Sequence, residues 1–109
     1  MTKSNSLISI LLFLGFCLEG AAESPTVKIG FITPLTGPRA SIGEDARAAA
    51  QLALEDIDNE KTQGVKVRLQ FEDSQGDLAN GVAAYQKLRI DGIKFVITHN
   101  SIVSIPIAP

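Results

Sequence analysis

The chain has 109 residues, 45% of them hydrophobic and 20% charged, with a formal net charge of −2 at pH 7. That length allows one small domain at most. With the near-neutral balance and both signs interspersed, nothing resembles a basic nucleic-acid footprint or a polybasic membrane anchor.

Met1 to Ser6 is short and polar, Leu7 to Leu18 is an apolar stretch broken only by Ser9, and Gly20, Ala21 and Ala22 follow as small residues. The pattern is that of a secretory signal cleaved after Ala22, so residues 1–22 are read as a signal peptide and residues 23–109 as the mature chain. A transmembrane span needs about 20 apolar residues, more than this run supplies, so no stable membrane anchor is expected. Cys17 is the one cysteine and leaves with the signal. The mature chain then has no disulfide, zinc cluster or thiol nucleophile.

A polar leader, Glu23 to Thr26, precedes an apolar run over Val27 to Thr33 that reads as a first strand. A loop with Gly37, Pro38 and Gly43 follows. Ser41 and Glu44 have the spacing of a capping box and predict a helix start there. Ala46, Ala49, Ala50, Ala53, Leu54 and Ile57 then share one helical face over about four turns, with Arg47, Glu55, Asp58 and Glu60 placed mostly elsewhere. Small side chains on that face let a helix lie close to a sheet. Val65 to Glu72 alternates apolar and polar, which predicts a second strand with one polar face near a sheet edge. Asp73 to Asp77 is a turn, with Asp77 the expected N-cap of a second helix whose apolar positions are Ala79, Val82, Ala83, Tyr85 or Gln86, and Leu88. Gly92 fits the left-handed position after that helix. Ile93 to Thr98 reads as a third strand, buried on both faces.

The order β-α-β-α-β with connections of this length predicts an α/β fold with a parallel, doubly wound sheet. The third strand would stand at an open edge, so the sheet is incomplete and the chain is expected to be the front of a longer protein. In such sheets ligands bind beyond the strands' carboxyl ends, which directs attention to the loops there.

Nucleotide chemistry finds no support. Gly37 to Gly43 lacks the lysine of a phosphate loop and puts Glu44 where phosphate would sit, and no G-x-G-x-x-G follows the first strand. No G-x-S-x-G elbow accompanies His99, the only histidine, which is read as a strand-end residue bonded to backbone. Glu72 and Asp73 could form a metal or phospho-acceptor pair, but no further ligand is suitably spaced, and turn and cap service suits Asp73 and Asp77 better. No cofactor, metal or catalytic residue is therefore assigned. Ser101 and Ser104 follow the third strand beside Asn100. Hydroxyls there can accept from an ammonium while free amides donate to a carboxylate, as holding a small zwitterion requires; ordinary loop serines are the alternative.

The opening Lys28-Ile-Gly-Phe-Ile-Thr-Pro-Leu-Thr-Gly-Pro38, then Ile42-Gly43, Asp56-Ile-Asp-Asn59, Glu72-Asp73, the helix from Val82 to Leu88 and Asp91-Gly-Ile-Lys-Phe-Val-Ile97 form an ordered set. It resembles the type 1 periplasmic substrate-binding proteins of the branched-chain amino acid (Leu/Ile/Val) group, over essentially the whole mature chain. The resemblance implies two α/β lobes joined by a hinge and closing on an amino acid that an ABC permease accepts, with no enzymatic step. It makes this chain the start of the first lobe. Ser101 is the first position it would place on the ligand's α-amino and α-carboxyl groups, with Ser104 second, while Ile42 falls where some members present an aromatic ring. A ligand-sensing module of the same fold and a non-functional fragment are the alternative readings.

Overall fold

The computed structural model describes residue 20 and residues 22–60 and 64–109. The signal segment lies outside these except for Gly20 and Ala22. Three parallel strands, β1 (Thr26–Thr33), β2 (Lys66–Asp73) and β3 (Phe95–Thr98), alternate with three helices, α1 (Ala40–Asn59), α2 (Leu78–Ile90) and α3 (Ser101–Ile107). The sheet order is β2-β1-β3. Register is set by pairs such as Phe31 with Phe71 and, on the other side, Phe31 with Ile97.

Alternation along β1 divides the two layers. Ile32 joins Ala84, Leu88, Ile93 and Val103 in the buried core under α2 and α3, with Val96 of β3 packed against it. Ile29 and Phe31 point the other way, toward Ala50, Leu54 and Ile57 of α1, across an apolar groove of about 200 Å³. Helices on both faces of a parallel sheet are the doubly wound arrangement that the sequence predicts. Phe31 and Phe71, with ring centroids 5.4 Å apart, fix the β1–β2 register on the α1 side.

Several boundaries differ from expectation for physical reasons. Helix α1 begins at Ala40, before the expected capping box, and runs for 20 residues, more than five turns. Gly37 adopts φ 85°, and the Ala40 amide donates to its carbonyl at 3.1 Å. The amides of Ile42 and Gly43 then both donate to the Arg39 carbonyl, so the backbone turn itself starts the helix and Ser41 caps nothing. The alanine stripe does face the sheet, but loosely: within α1 only Gly43 is fully buried. Arg47, expected on the polar side, lies with its guanidinium 5.5 Å from the Phe71 ring centroid and covers the β2 edge.

Helix α2 buries Gly81, Ala84 and Leu88 instead of Ala79 and Ala83, which are exposed. The cause is α3. Val103 is fully buried against Gly81, where a Cβ would meet its methyl carbon at 2.4 Å, so the helices approach through the glycine. Strand β3 is four residues long and is not buried on both faces, because it is an edge and α1 does not reach over it: Phe95 is 61% and Ile97 45% exposed.

Candidate functional site

Parallel strands send all three following loops to one edge of the sheet, and the three sequence-predicted site residues lie along that carboxyl edge. Ile42 sits in the first turn of α1, 53% exposed. Ser101 opens α3 and Ser104 lies one turn further. Ile42 and the serines follow adjacent strands, β1 and β3, but start helices on opposite faces of the sheet.

What holds this edge in place is Asp73, the last residue of β2. Its Oδ1 accepts from the amides of Leu35 at 2.8 Å, Thr36 at 3.3 Å and Gln75 at 2.8 Å, and its Oδ2 accepts from the Thr36 hydroxyl. One carboxylate thus ties the β1–α1 loop to the β2–α2 turn. Burial pushes its pKa up, but the hydrogen bonds from the Thr36 hydroxyl and the Gln75, Leu35 and Thr36 amides outweigh that and hold it below the usual 3.8. The start of α1 is pinned from beneath by Gly43, where a Cβ would lie 1.6 Å from the Pro34 carbonyl oxygen. Gln75, in the turn, carries the one positive φ among the described non-glycine residues, 51°.

The next turn is closed by Asp77, whose Oδ1 accepts from the Asn80 amide at 2.9 Å as an N-cap. That bond and the side-chain bond from Asn80 lower its pKa. The acidic residues at the end of β2 are therefore structural. Glu72 takes the Lys87 ammonium at 2.6 and 2.8 Å, and among the described residues no group of His, Cys, Asp and Glu has the geometry to hold a metal ion.

At the third loop Asn100 is the N-cap of α3, with its side chain accepting from the Ile102 amide at 3.0 Å. Its carbonyl accepts from the amides of Val103 and Ser104 and, at 3.1 Å, from the Ser104 hydroxyl. Ser104's proton is therefore committed within the helix. The Ser101 hydroxyl and amide make no hydrogen bond among the described residues, and Ser101 is exposed. His99 is exposed, and among the described residues its ring makes none of the backbone bonds expected for it. Beneath the first loop, Thr33 is fully buried, and its Oγ1 has no hydrogen-bond partner among the described residues.

Sequence reasoning missed the helical character of 101–107, because β-branched residues and Pro106 argue against a helix. The available signal was Asn100, a strong N-cap residue. It also missed that one Asp73 carboxylate reaches across 38 residues of chain to the first loop.

A family model described as periplasmic binding protein matches residues 26–109. The chain is 39% identical over 110 aligned positions to the Leu/Ile/Val-binding protein BraC3 of Rhizobium johnstonii, covering 99% of this chain and 29% of that protein. It is 37% identical over 96 residues to Leu/Ile/Val-binding protein homolog 3 of Brucella melitensis, covering 87% and 25%. Among solved structures, a possible leucine/isoleucine/valine-binding protein from Rhodopirellula baltica superposes with a TM-score of 0.70 at 19% identity, over 76% of this chain and 23% of that one, a likeness of fold. A solute-binding protein of an ABC transporter from Rhodopseudomonas palustris, solved in complex with 3,4-dihydroxybenzoic acid, gives a TM-score of 0.56 at 27% identity, over 65% and 20%. The chain spans about a quarter of the length of the relatives it matches.

Proposed function

The chain belongs to the periplasmic binding protein family, and we propose that it supplies first-lobe contacts of a cleft that takes a branched-chain or related amino acid for an ABC importer. Residues 1–22 are the secretory signal, cleaved after Ala22, and residues 23–109 are part of the first lobe, working in the periplasm. The observation that carries the reading is Ser101: an exposed residue at the carboxyl edge whose hydroxyl and amide have no partner among the described residues. The hydroxyl accepts from the ligand's ammonium and the amide donates to its carboxylate. Ser104, with its proton given to Asn100, offers only its acceptor lone pairs. Ile42, apolar and exposed in the first turn of α1, faces the ligand's aliphatic side chain. No bond is made or broken in this role.

The names of the relatives support the ligand class, since the Rhizobium and Brucella proteins are Leu/Ile/Val-binding proteins or homologues of them. A second lobe supplies the opposing contacts, and the ligand acts by favouring the closed form that a permease recognises. Half a cleft binds weakly, so the direct test is titration of the ¹⁵N-labelled chain with leucine into the millimolar range. The expected result is saturable shifts of the Ser101 and Ile42 amides, reduced by Ser101→Ala. Shifts confined to other residues, or none, would remove the assignment.

A further inference from the structure

The amino edge of the sheet, opposite the ligand loops, gathers cations that the sequence keeps apart. Lys28 of β1 pairs in register with Arg68 of β2. On the other side Ile29 pairs with Phe95, so Lys94, one residue earlier, lies beside Lys28, and Lys28 and Lys94 line one open groove of about 290 Å³. Arg68, Lys28 and Lys94 thus form a row across three neighbouring strands spaced about 4.8 Å apart. Lys66, two residues before Arg68, extends it on the same face. All four are exposed, and none makes an ion pair or side-chain hydrogen bond among the described residues.

Like charges in lateral register repel, so the row is favourable only beside anions. Two acidic groups of the same layer are already engaged. Asp91 accepts from Gln70 at 2.7 Å, and Glu72 is paired with Lys87. The acidic end of α1, Glu55 to Glu60, belongs to the opposite layer.

We propose that this row is a docking surface for anionic phospholipid headgroups. Arg68 and Lys94 stand two strand spacings apart, about 10 Å, wider than one small anion spans, as suits a diffuse field of headgroup charge. Phe95, 61% exposed, lines the same groove but shares the α1 side of the sheet with its partner Ile29, so it borders the row without belonging to it. A second copy presenting the same row would be repelled. Docking by the amino edge leaves the carboxyl edge, with Ser101 and Ile42, free, and the attraction is weak and salt-dependent because no lipid chain or inserted helix accompanies it.

The test is co-sedimentation of the 109-residue chain with vesicles of phosphatidylcholine alone and with about 30% phosphatidylglycerol. The apolar segment Leu7 to Leu18 contributes to both, so the excess on the anionic vesicles is the quantity that reports the row. Each cation neutralised lowers that excess about fivefold, so Lys28→Gln/Arg68→Gln/Lys94→Gln abolishes it while Arg39→Gln, on the opposite edge, retains it. The excess also falls between about 50 and 300 mM NaCl. An unchanged excess in the triple variant, or equal loss in Arg39→Gln, overturns the proposal. Loss of the excess on adding about 10 mM inorganic phosphate at constant ionic strength assigns the row to a soluble oxyanion and overturns the lipid source. Row-dependent binding of polyglutamate without any vesicle excess makes the partner an acidic polypeptide, with the same consequence.

Discussion

Replacing Asp73 with alanine removes the acceptor of four hydrogen bonds at once and separates the β1–α1 loop from the β2–α2 turn. Hydrogen bonds to a charged group each contribute about 1.5–3 kcal/mol when buried. Water replaces much of this at a carboxylate exposed on one side, which leaves an expected loss of about 2 kcal/mol. For a domain of this size that lowers the midpoint of thermal unfolding by about 10 °C. The Asp73→Asn substitution keeps one oxygen for the amides and offers an N–H to the Thr36 hydroxyl, so it costs less, about 1 kcal/mol.

The pH dependence separates charge from connectivity. Because the folded-state pKa is below 3.8, the carboxylate's contribution is complete above that value and is lost as pH falls through the folded-state pKa. Asp73→Asn removes this step from the acid limb. The assay is thermal unfolding followed by circular dichroism between about pH 2 and pH 7, with amide hydrogen exchange at Leu35, Thr36 and Gln75. An Asp73→Ala variant within about 0.5 kcal/mol of the parent, or an Asp73→Asn variant with an unchanged acid limb, would mean that the Asp73 carboxylate does not hold the two loops together.

Thr33→Val replaces a buried, unpartnered hydroxyl with a methyl and is expected to stabilise the chain by about 1 kcal/mol, measured by urea unfolding. Gly43→Ala drives a Cβ into the Pro34 carbonyl and should cost about 3 kcal/mol or more, read in the same unfolding assay. Gly81→Ala crowds Val103, so Val103→Ala should recover part of the loss in a double-mutant cycle. Leu88→Ala empties a fully buried site in the α2 layer and should cost about 2–5 kcal/mol by the same measurement.

Element order and the parallel, doubly wound sheet were legible in the sequence because the hydrophobic period changes cleanly between about 2 and 3.6 at Thr33, Val65 and Asp77. Asp77 as a cap was legible too, because its effect is local. The capping box at Ser41 misled because a glycine turn two residues ahead of Arg39 starts the helix by backbone bonds alone. The buried face of α2 was misread because Gly81 carries no side chain to mark it, and only the close passage of Val103 gives it meaning. The edge position of β3 was expected, but its burial was overestimated, since an apolar run cannot report how far α1 reaches over Phe95 and Ile97. Long-range devices left no periodic trace: the Asp73 clasp joins residues 38 apart, and the cationic row exists only once register aligns positions 28, 68 and 94.

Contact between Ser101 and the ligand's charged groups is measured by calorimetry on a chimera in which residues 26–109 replace the matching segment of the Rhizobium relative. The chimera is expected to bind leucine, with binding weakened at least about tenfold by Ser101→Ala, the effect of one lost charged hydrogen bond, and less by Ser104→Ala. A chimera that unfolds cooperatively yet binds no leucine, or one indifferent to Ser101→Ala, would contradict that contact.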